Sequence, residues 1–212
     1  MSSEVKTAAA PGAARKVSVR YVVVTAMLSA VAAALMYIEV PIPALIPSFV
    51  KLDVSDLPAL IGSFALGPVC GVVIALLKNV LHIVLKGTTS AFIGELCNFA
   101  LNAVFALIAG LIYKFHKNRR GAIAGSLVGA VVMGLFSVPL NYFVTYPFYA
   151  AAFGGMDLII QAYQAILPSV DSLLECLLIF NLPFTIVKGL LCAVLCFLIY
   201  KPLSPILHGR NR

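Results

Sequence analysis

Long apolar runs recur along the whole of this 212-residue chain, and they leave few folds open to it. Hydrophobic residues make up 62% of the sequence and charged residues only 11%, with a mean hydropathy of +1.05. A soluble domain carries roughly 25% charged residues. Runs of about 20 apolar residues, coiled as helices, match a hydrocarbon core about 30 Å thick. The expected fold is therefore all-α: a polytopic membrane protein of about six transmembrane helices, with short loops and no appended soluble domain.

Polar residues inside such runs carry the most information. In the last run, from about Cys176 to Tyr200, the segment Phe180-Asn-Leu-Pro-Phe-Thr-Ile-Val-Lys-Gly189 places Asn181, Thr185 and Lys188 at i, i+4 and i+7. That spacing is one face of a helix. A lysine within a hydrophobic span costs roughly 2.5–3.5 kcal/mol on insertion scales, which is tolerable where its face lines a cavity or meets a partner. The competing reading is a lysine that snorkels to the interface or bonds a neighbouring helix. Two further stripes repeat the pattern: Glu95, Asn98 and Asn102 in the fourth run, and Asn141 with Thr145 in the fifth. The last pair lies between Pro139 and Pro147, expected to kink the helix, beside Tyr142, Phe143, Tyr146, Phe148 and Tyr149.

All three stripes fall in the outer halves of their spans. Together they offer amides, hydroxyls, one ammonium and one carboxylate amid aromatic and aliphatic surface. A planar, partly polar, neutral molecule suits that mixture, whereas a small ion would need a tighter oxygen cage.

In chain order, residues 1–20 read as a basic cytoplasmic tail. Tyr21 to Ile38 is the first span, with a small-residue ridge of Ala26, Ala30 and Ala34. Such a ridge permits close helix contact, and intramolecular packing is its simplest physical use. Residues 39–55 form a loop stiffened by Pro41, Pro43 and Pro47 yet rich in Val, Ile, Leu and Phe. A fully solvated loop would not need that surface. It is expected to cover the protein as an outer lid, or else to dip into the headgroups. Asp56 is a candidate N-cap for a short second helix ending at Leu66. Pro68 to Leu85 is the third span, with Lys78, His82 and Lys86 along one face. Lys86 reads as a snorkelling end. The fourth span runs to about Tyr113 and a fifth starts near Gly121. An outer segment at 151–175 with one short helix precedes the sixth. The membrane domain is thus 21–208, followed by a cytoplasmic tail at 209–212.

Charge placement orients the chain. Four cations precede the first span (Lys6, Arg15, Lys16, Arg20), four lie at 114–120 (Lys114, Lys117, Arg119, Arg120), and three close the chain (Lys201, Arg210, Arg212). Four crossings before Lys114 and two after it put these eleven of the fifteen cations on one side, the cytoplasm by the positive-inside rule. Both termini then lie there. The parity requires the short second helix to cross.

Several functions lack their chemistry. There is no Gly-x4-Gly-Lys-Ser/Thr loop, so the chain does not itself hydrolyse ATP. His-Glu-x-x-His, Gly-x-Ser-x-Gly and aspartate-rich metal motifs are missing too, which removes the usual membrane-enzyme readings. Cys70, Cys97, Cys176, Cys192 and Cys196 read as buried apolar residues, and no metal site is expected. Without a basic stripe interleaved with aromatics, no nucleic-acid partner is expected either. No internal repeat of the kind secondary transporters show is visible.

Six segments together resemble the substrate-binding S components of energy-coupling factor (ECF) vitamin transporters, of the riboflavin-specific type. They are the alanine ridge, Lys51-Leu-Asp-Val-Ser-Asp-Leu-Pro58, Gly67-Pro-Val-Cys-Gly71 with Leu77-Lys-Asn79, Gly87-Thr-Thr-Ser-Ala-Phe-Ile-Gly-Glu95, Asn141-Tyr-x4-Pro147 and Phe180 to Gly189. The resemblance covers roughly residues 20–208. It implies a multi-pass protein of the prokaryotic plasma membrane that binds riboflavin as substrate and uses no catalytic cofactor. It also implies partners: a transmembrane coupling protein, met through Ala26, Ala30 and Ala34, and two cytoplasmic ATPases. It assigns flavin binding to Asn141 and Lys188, with Asn181 and Thr185 beside them. Thr185 departs from the asparagine of some relatives. Glu95 and Asn98 join the site from the helical stripe alone. FMN would need cations near the ribityl end, which Lys51 or Lys86 could supply. The competing function is a stand-alone proton- or ion-coupled transporter with Glu95 or Lys188 as relay; uptake by the chain alone, without ATP, would distinguish it.

Overall fold

The computed structural model describes residues 18–88 and 90–208. The segments 1–17 and 209–212, where cytoplasmic tails are expected, lie outside the described residues.

Among the described residues, five helical stretches are long and apolar enough to cross a membrane: Val19–Met36, Pro68–Lys86, Ile93–Phe115, Arg119–Ala152 and Leu173–Ile199. We call the first three α1, α3 and α4. The helix Leu57–Leu66, α2, is apolar but only 10 residues long, about 15 Å at 1.5 Å per residue. Eight of its residues, Leu57 to Phe64, are buried. It therefore sits inside the bundle, contacting α1, α3 and α4. A helix so enclosed has its side chains solvated by protein, and its shortness costs nothing against lipid. Gly67, with φ +107°, turns the chain from α2 into α3.

The fourth and fifth stretches are each interrupted by a widened turn. Helix α5, Arg119–Leu140, passes into a π-helical turn at Asn141–Thr145 and then α6, Tyr146–Phe153. The last stretch begins with α8, Leu173–Cys176, widens at Leu177–Asn181, and continues as α9, Leu182–His208. Prolines flank both turns: Pro139 and Pro147 at the first, Pro183 at the second. Proline lacks an N–H to donate, and a π turn lets the helix carry on past the missing bond. The result is a continuous stretch with an extra residue in the turn. Between the two long stretches lies α7, Met156–Gln164, the one short helix of the outer segment.

The connection from α1 to α2 is a small antiparallel hairpin, β1 at Val40–Pro41 paired with β2 at Lys51–Leu52. Its tip packs inward. Ile46 is fully buried with Tyr146, Ile159, Tyr163, Val170, Cys176 and Leu177, and Phe49 meets Tyr146 and Tyr163 edge-on. Ile46 is thus buried against α6 and α7, with Val50 packed beside it, while Val40, Leu45 and Phe49 stay exposed.

Among the described residues, nothing packs over the alanine ridge. Ala26, Ala30 and Ala34 are exposed, while Thr25, Ser29, Ala32 and Ala33 face the bundle. This corrects the intramolecular reading of the ridge. The inward hydroxyls are satisfied locally, Thr25 by the Tyr21 carbonyl and Ser29 by that of Thr25, at 2.6 and 2.8 Å.

Close helix contact elsewhere depends on glycine. A Cβ at Gly71 of α3 would stand 2.8 Å from the Ala59 carbonyl oxygen of α2 and 2.9 Å from the Ala106 Cβ of α4. Gly71→Val should therefore destabilise the bundle by about 1–3 kcal/mol. A lowered thermal midpoint in detergent checks this; an unchanged midpoint would refute the packing described.

Candidate functional site

The hairpin, α3, α4, α7, the two π turns and α9 line a half-open cavity of about 690 Å³, within the range that small-molecule sites occupy. Glu95, Asn98, Asn141, Asn181, Thr185 and Lys188 all line it. Three stripes on three separate stretches of sequence thus converge on one space. Asn102, on the same stripe as Glu95 and Asn98, does not; it turns to Asp56 beneath the cavity floor.

Four buried charges form that floor. Lys78 is fully buried and donates to Asp56 at 2.5 Å and to Ser55 at 2.7 Å. Lys188 pairs with Asp53 at 2.9 Å and with Asp56 at 3.3 Å. The Asn102 amide donates to Asp56 at 2.8 Å. Ser55 closes the network, its hydroxyl and backbone N–H both donating to Asp53. Asp56 is therefore no side-chain cap for α2, as its sequence position suggests; a buried ammonium is the stronger claim on its carboxylate. Burial alone would push the Asp53 carboxyl up, but Lys188, Lys78 and Ser55 outweigh it and hold it well below the usual carboxylate range. A carboxyl so depressed stabilises the folded state above about pH 4 and loses that contribution only in stronger acid. Because Asp53 follows directly on the hairpin, its tie to Lys188 also joins the hairpin to α9.

The other side groups divide by how fully the protein occupies them. The Asn181 amide is used at both ends: Tyr163 donates to its Oδ1 at 2.6 Å, and its Nδ2 donates to Tyr146 at 2.8 Å. The two tyrosine hydroxyls also bond each other. Glu95 accepts from Thr88 and Ser90, both at 3.0 Å, and so fixes the turn before α4. Its other oxygen lies 3.7 Å from His82 Nδ1, too far for a hydrogen bond. Asn98 Oδ1 and His82 Nδ1 are buried with no hydrogen-bond partner among the described residues. Both residues line the cavity, so these are atoms a bound molecule could satisfy. At the rim, Glu39 accepts from Lys51 at 2.7 Å and from Lys86 at 2.9 Å. Lys86 also lies over the Tyr37 ring, 5.5 Å from its centroid. Lys86 is thus an ion-paired rim residue rather than a simple snorkelling end.

Sequence spacing finds the stripes but misses their partners. Asp53, Asp56, Tyr146 and Tyr163 lie on elements whose proximity no periodicity encodes. One signal was present: Lys78 and Lys188 are two intramembrane cations that need carboxylate partners, and Asp53 and Asp56 are among the few acids the sequence offers.

A helical membrane protein with a half-open, charge-balanced chamber beside an inward-packed hairpin is built to hold a small molecule. Comparison with known proteins is specific. Residues 20–200 match the family model of the substrate-specific component of ECF transporters, and the chain belongs to that family. It is 33% identical to riboflavin transporter RibU of Staphylococcus aureus, over 84% of this chain and 87% of that protein. It is 31% identical to riboflavin transporter FmnP of Bacillus subtilis, over 88% and 93% respectively. A solved structure of the S component of a bacterial ECF transporter superposes with a TM-score of 0.69 at 31% identity, covering 89% of this chain and 97% of that one.

The charge floor makes a sharp test. Lys78→Met leaves Asp56 short of its main partner and should cost about 3–5 kcal/mol. Adding Asp56→Asn should recover much of that loss in a thermal melt. Equal destabilisation of single and double variants would show that Lys78 matters for packing alone.

Proposed function

We propose that this protein captures riboflavin at the outer face of a prokaryotic plasma membrane and delivers it through an ATPase-driven coupling module. The observation that carries the reading is the chamber itself: the buried Asn98 amide oxygen that no group of the described residues satisfies, with Asn141 and the ion-paired Lys188 ammonium, converging with aromatic walls, in a chain of the S-component family whose relatives are named riboflavin transporters. Flavin is planar, uncharged and edged with heteroatoms, so rings against Phe184, Leu101 and Tyr149 and polar atoms against Asn141 and Lys188 would use both kinds of surface. Thr185, Asn98 and Glu95 complete the polar lining, and Asn181 holds the tyrosines that shape one wall. The hairpin at 39–55 acts as the lid.

In this reading the chain spans the membrane six times, α2 counting as one crossing, with both termini cytoplasmic as the cation distribution favours. The protein is a binding subunit and not an enzyme. ATP is hydrolysed by two cytoplasmic partner ATPases, and the exposed ridge of Ala26, Ala30 and Ala34 docks the transmembrane coupling protein.

Detergent-purified protein should bind riboflavin with about one flavin per chain and quench its fluorescence through aromatic contact. Lys188→Ala and Asn141→Ala should each weaken binding at least about tenfold, the loss of a charge-assisted or neutral hydrogen bond to ligand. Full affinity in both folded variants would remove them from the site. Absence of any quenching by wild-type protein at micromolar riboflavin would overturn the substrate.

Ala30→Trp tests the coupling role separately. It should leave riboflavin binding intact and abolish ATP-dependent uptake by the assembled transporter. Normal uptake by this variant would show that the ridge does not meet the partner.

A further inference from the structure

A second cavity, of about 320 Å³, lies where α2 and α4 end, α5 begins and the later part of α9 passes, at the basic turn 114–120. It shares no lining residue with the chamber. Its buried side is apolar. Phe64 and Tyr113 meet there with ring centroids 5.0 Å apart, and Ala122, Cys196 and Phe197 complete that lining. Its exposed side is polar: Lys117, Asn118 and Arg119. The Asn118 carboxamide oxygen accepts from the Gly121 N–H at 2.7 Å, so the start of α5 is capped from within and the Asn118 Nδ2 is left to donate. Lys117 and Arg119 take part in none of the ion pairs among the described residues. No carboxylate stands close in sequence either. Of the four helices that line this cavity only α4 carries an acid, Glu95, and it lies at the opposite end of that helix. The contrast with the chamber is sharp, because Lys51, Lys78, Lys86 and Lys188 are all paired there.

We propose that this cavity binds the headgroup of an anionic phospholipid, with the phosphate on Lys117 and Arg119 and the glycerol region against the apolar lining. An arginine fork and a lysine ammonium are both phosphate donors, and a basic pocket between helices at the membrane surface suits an anionic headgroup. A free phosphate uses only half of the site, since the apolar lining would strip its water and return nothing. A phospholipid joins both chemistries in one molecule. The volume holds a headgroup and not a whole lipid, so the acyl chains lie outside, along exposed apolar residues such as Ile123 of α5 and Leu198 of α9. A zwitterionic lipid would bring its own cation against Lys117 and Arg119, which selects for net negative charge. The same rule disfavours the ends of this chain as occupants: residues 1–17 hold Lys6, Arg15 and Lys16 against Glu4 alone, and 209–212 hold Arg210 and Arg212. Lipid phosphates lie at both faces of a bilayer. The proposal therefore needs only that the turn stands at one end of the α4 and α5 spans, and it is independent of the riboflavin reading.

The test titrates short-chain dioctanoyl phosphatidylglycerol and dioctanoyl phosphatidylcholine into the detergent-purified full chain and reads bound lipid by native mass spectrometry. Phosphatidylglycerol should bind at one per chain, at least about tenfold tighter than phosphatidylcholine. Lys117→Gln with Arg119→Gln should abolish that preference. Lys114→Gln with Arg120→Gln removes the same charge from the same turn but from outside the cavity, and should keep most of it. Ala122→Trp, which fills the cavity and leaves every charge in place, should also lose the bound lipid. Equal binding of the two lipids, or an undiminished preference in Lys117→Gln/Arg119→Gln, overturns the proposal. So does an equal loss in the Lys114/Arg120 pair, which would mean diffuse surface charge. Displacement of phosphatidylglycerol by inorganic phosphate at matched concentration would mean a simple anion site and overturns it as well. Thermal melts check that each variant folds. Lys117 and Arg119 are exposed, so their double variant decides the question even if Ala122→Trp unfolds.

Discussion

The arrangement of this protein depends on one buried charge network. Asp53 and Asp56 meet Lys78 and Lys188 where α2, α3 and α9 converge. None of these charges could be buried alone in an apolar bundle without a cost of several kcal/mol per ion. Together, with Ser55 and Asn102 supplying the remaining bonds, they are neutral and satisfied. The network also performs three geometric tasks at once. It holds the start of the short helix α2 at depth, ties the hairpin to the last helix, and presents the Lys188 ammonium at the floor of the chamber.

The two π turns are the second device. Each sits where a proline removes a backbone donor, and each delivers an asparagine to the cavity: Asn141 from the first, Asn181 from the second. A widened turn redirects side chains that a regular helix would leave on a different face. Asn181 then spends its amide on Tyr146 and Tyr163, while Asn98 across the space keeps a buried acceptor without a partner. The chamber thus combines walls fixed by internal bonds with a few groups left for a ligand. That division is what a specific site needs: rigid shape from satisfied polar groups, and recognition from unsatisfied ones. It suits the substrate-specific component of a transporter.

Composition and periodicity made the helical membrane class, the five long stretches and the three polar stripes legible in advance. The reason is local: a run of about 20 apolar residues satisfies its own backbone only as a helix, and residues at i, i+4 and i+7 share a face whatever surrounds them. The outward direction of the alanine ridge was not legible, since a small-residue stripe looks the same facing a neighbour or lipid. Nor was the role of Asp56, whose position before a helix is equally that of a cap.

The sequence by itself determined that this chain is a multi-helix membrane protein with polar groups costly enough to require a purpose. Only the tertiary structure decided how those groups are matched: Lys188 to Asp53 across 135 positions, Asn102 to Asp56 across 46, Lys51 and Lys86 to one oxygen of Glu39. Pairings between distant segments depend on which helices pack together. In a bundle of similar apolar helices, that is settled by glycine contacts and charge neutralisation in three dimensions, which no local pattern records.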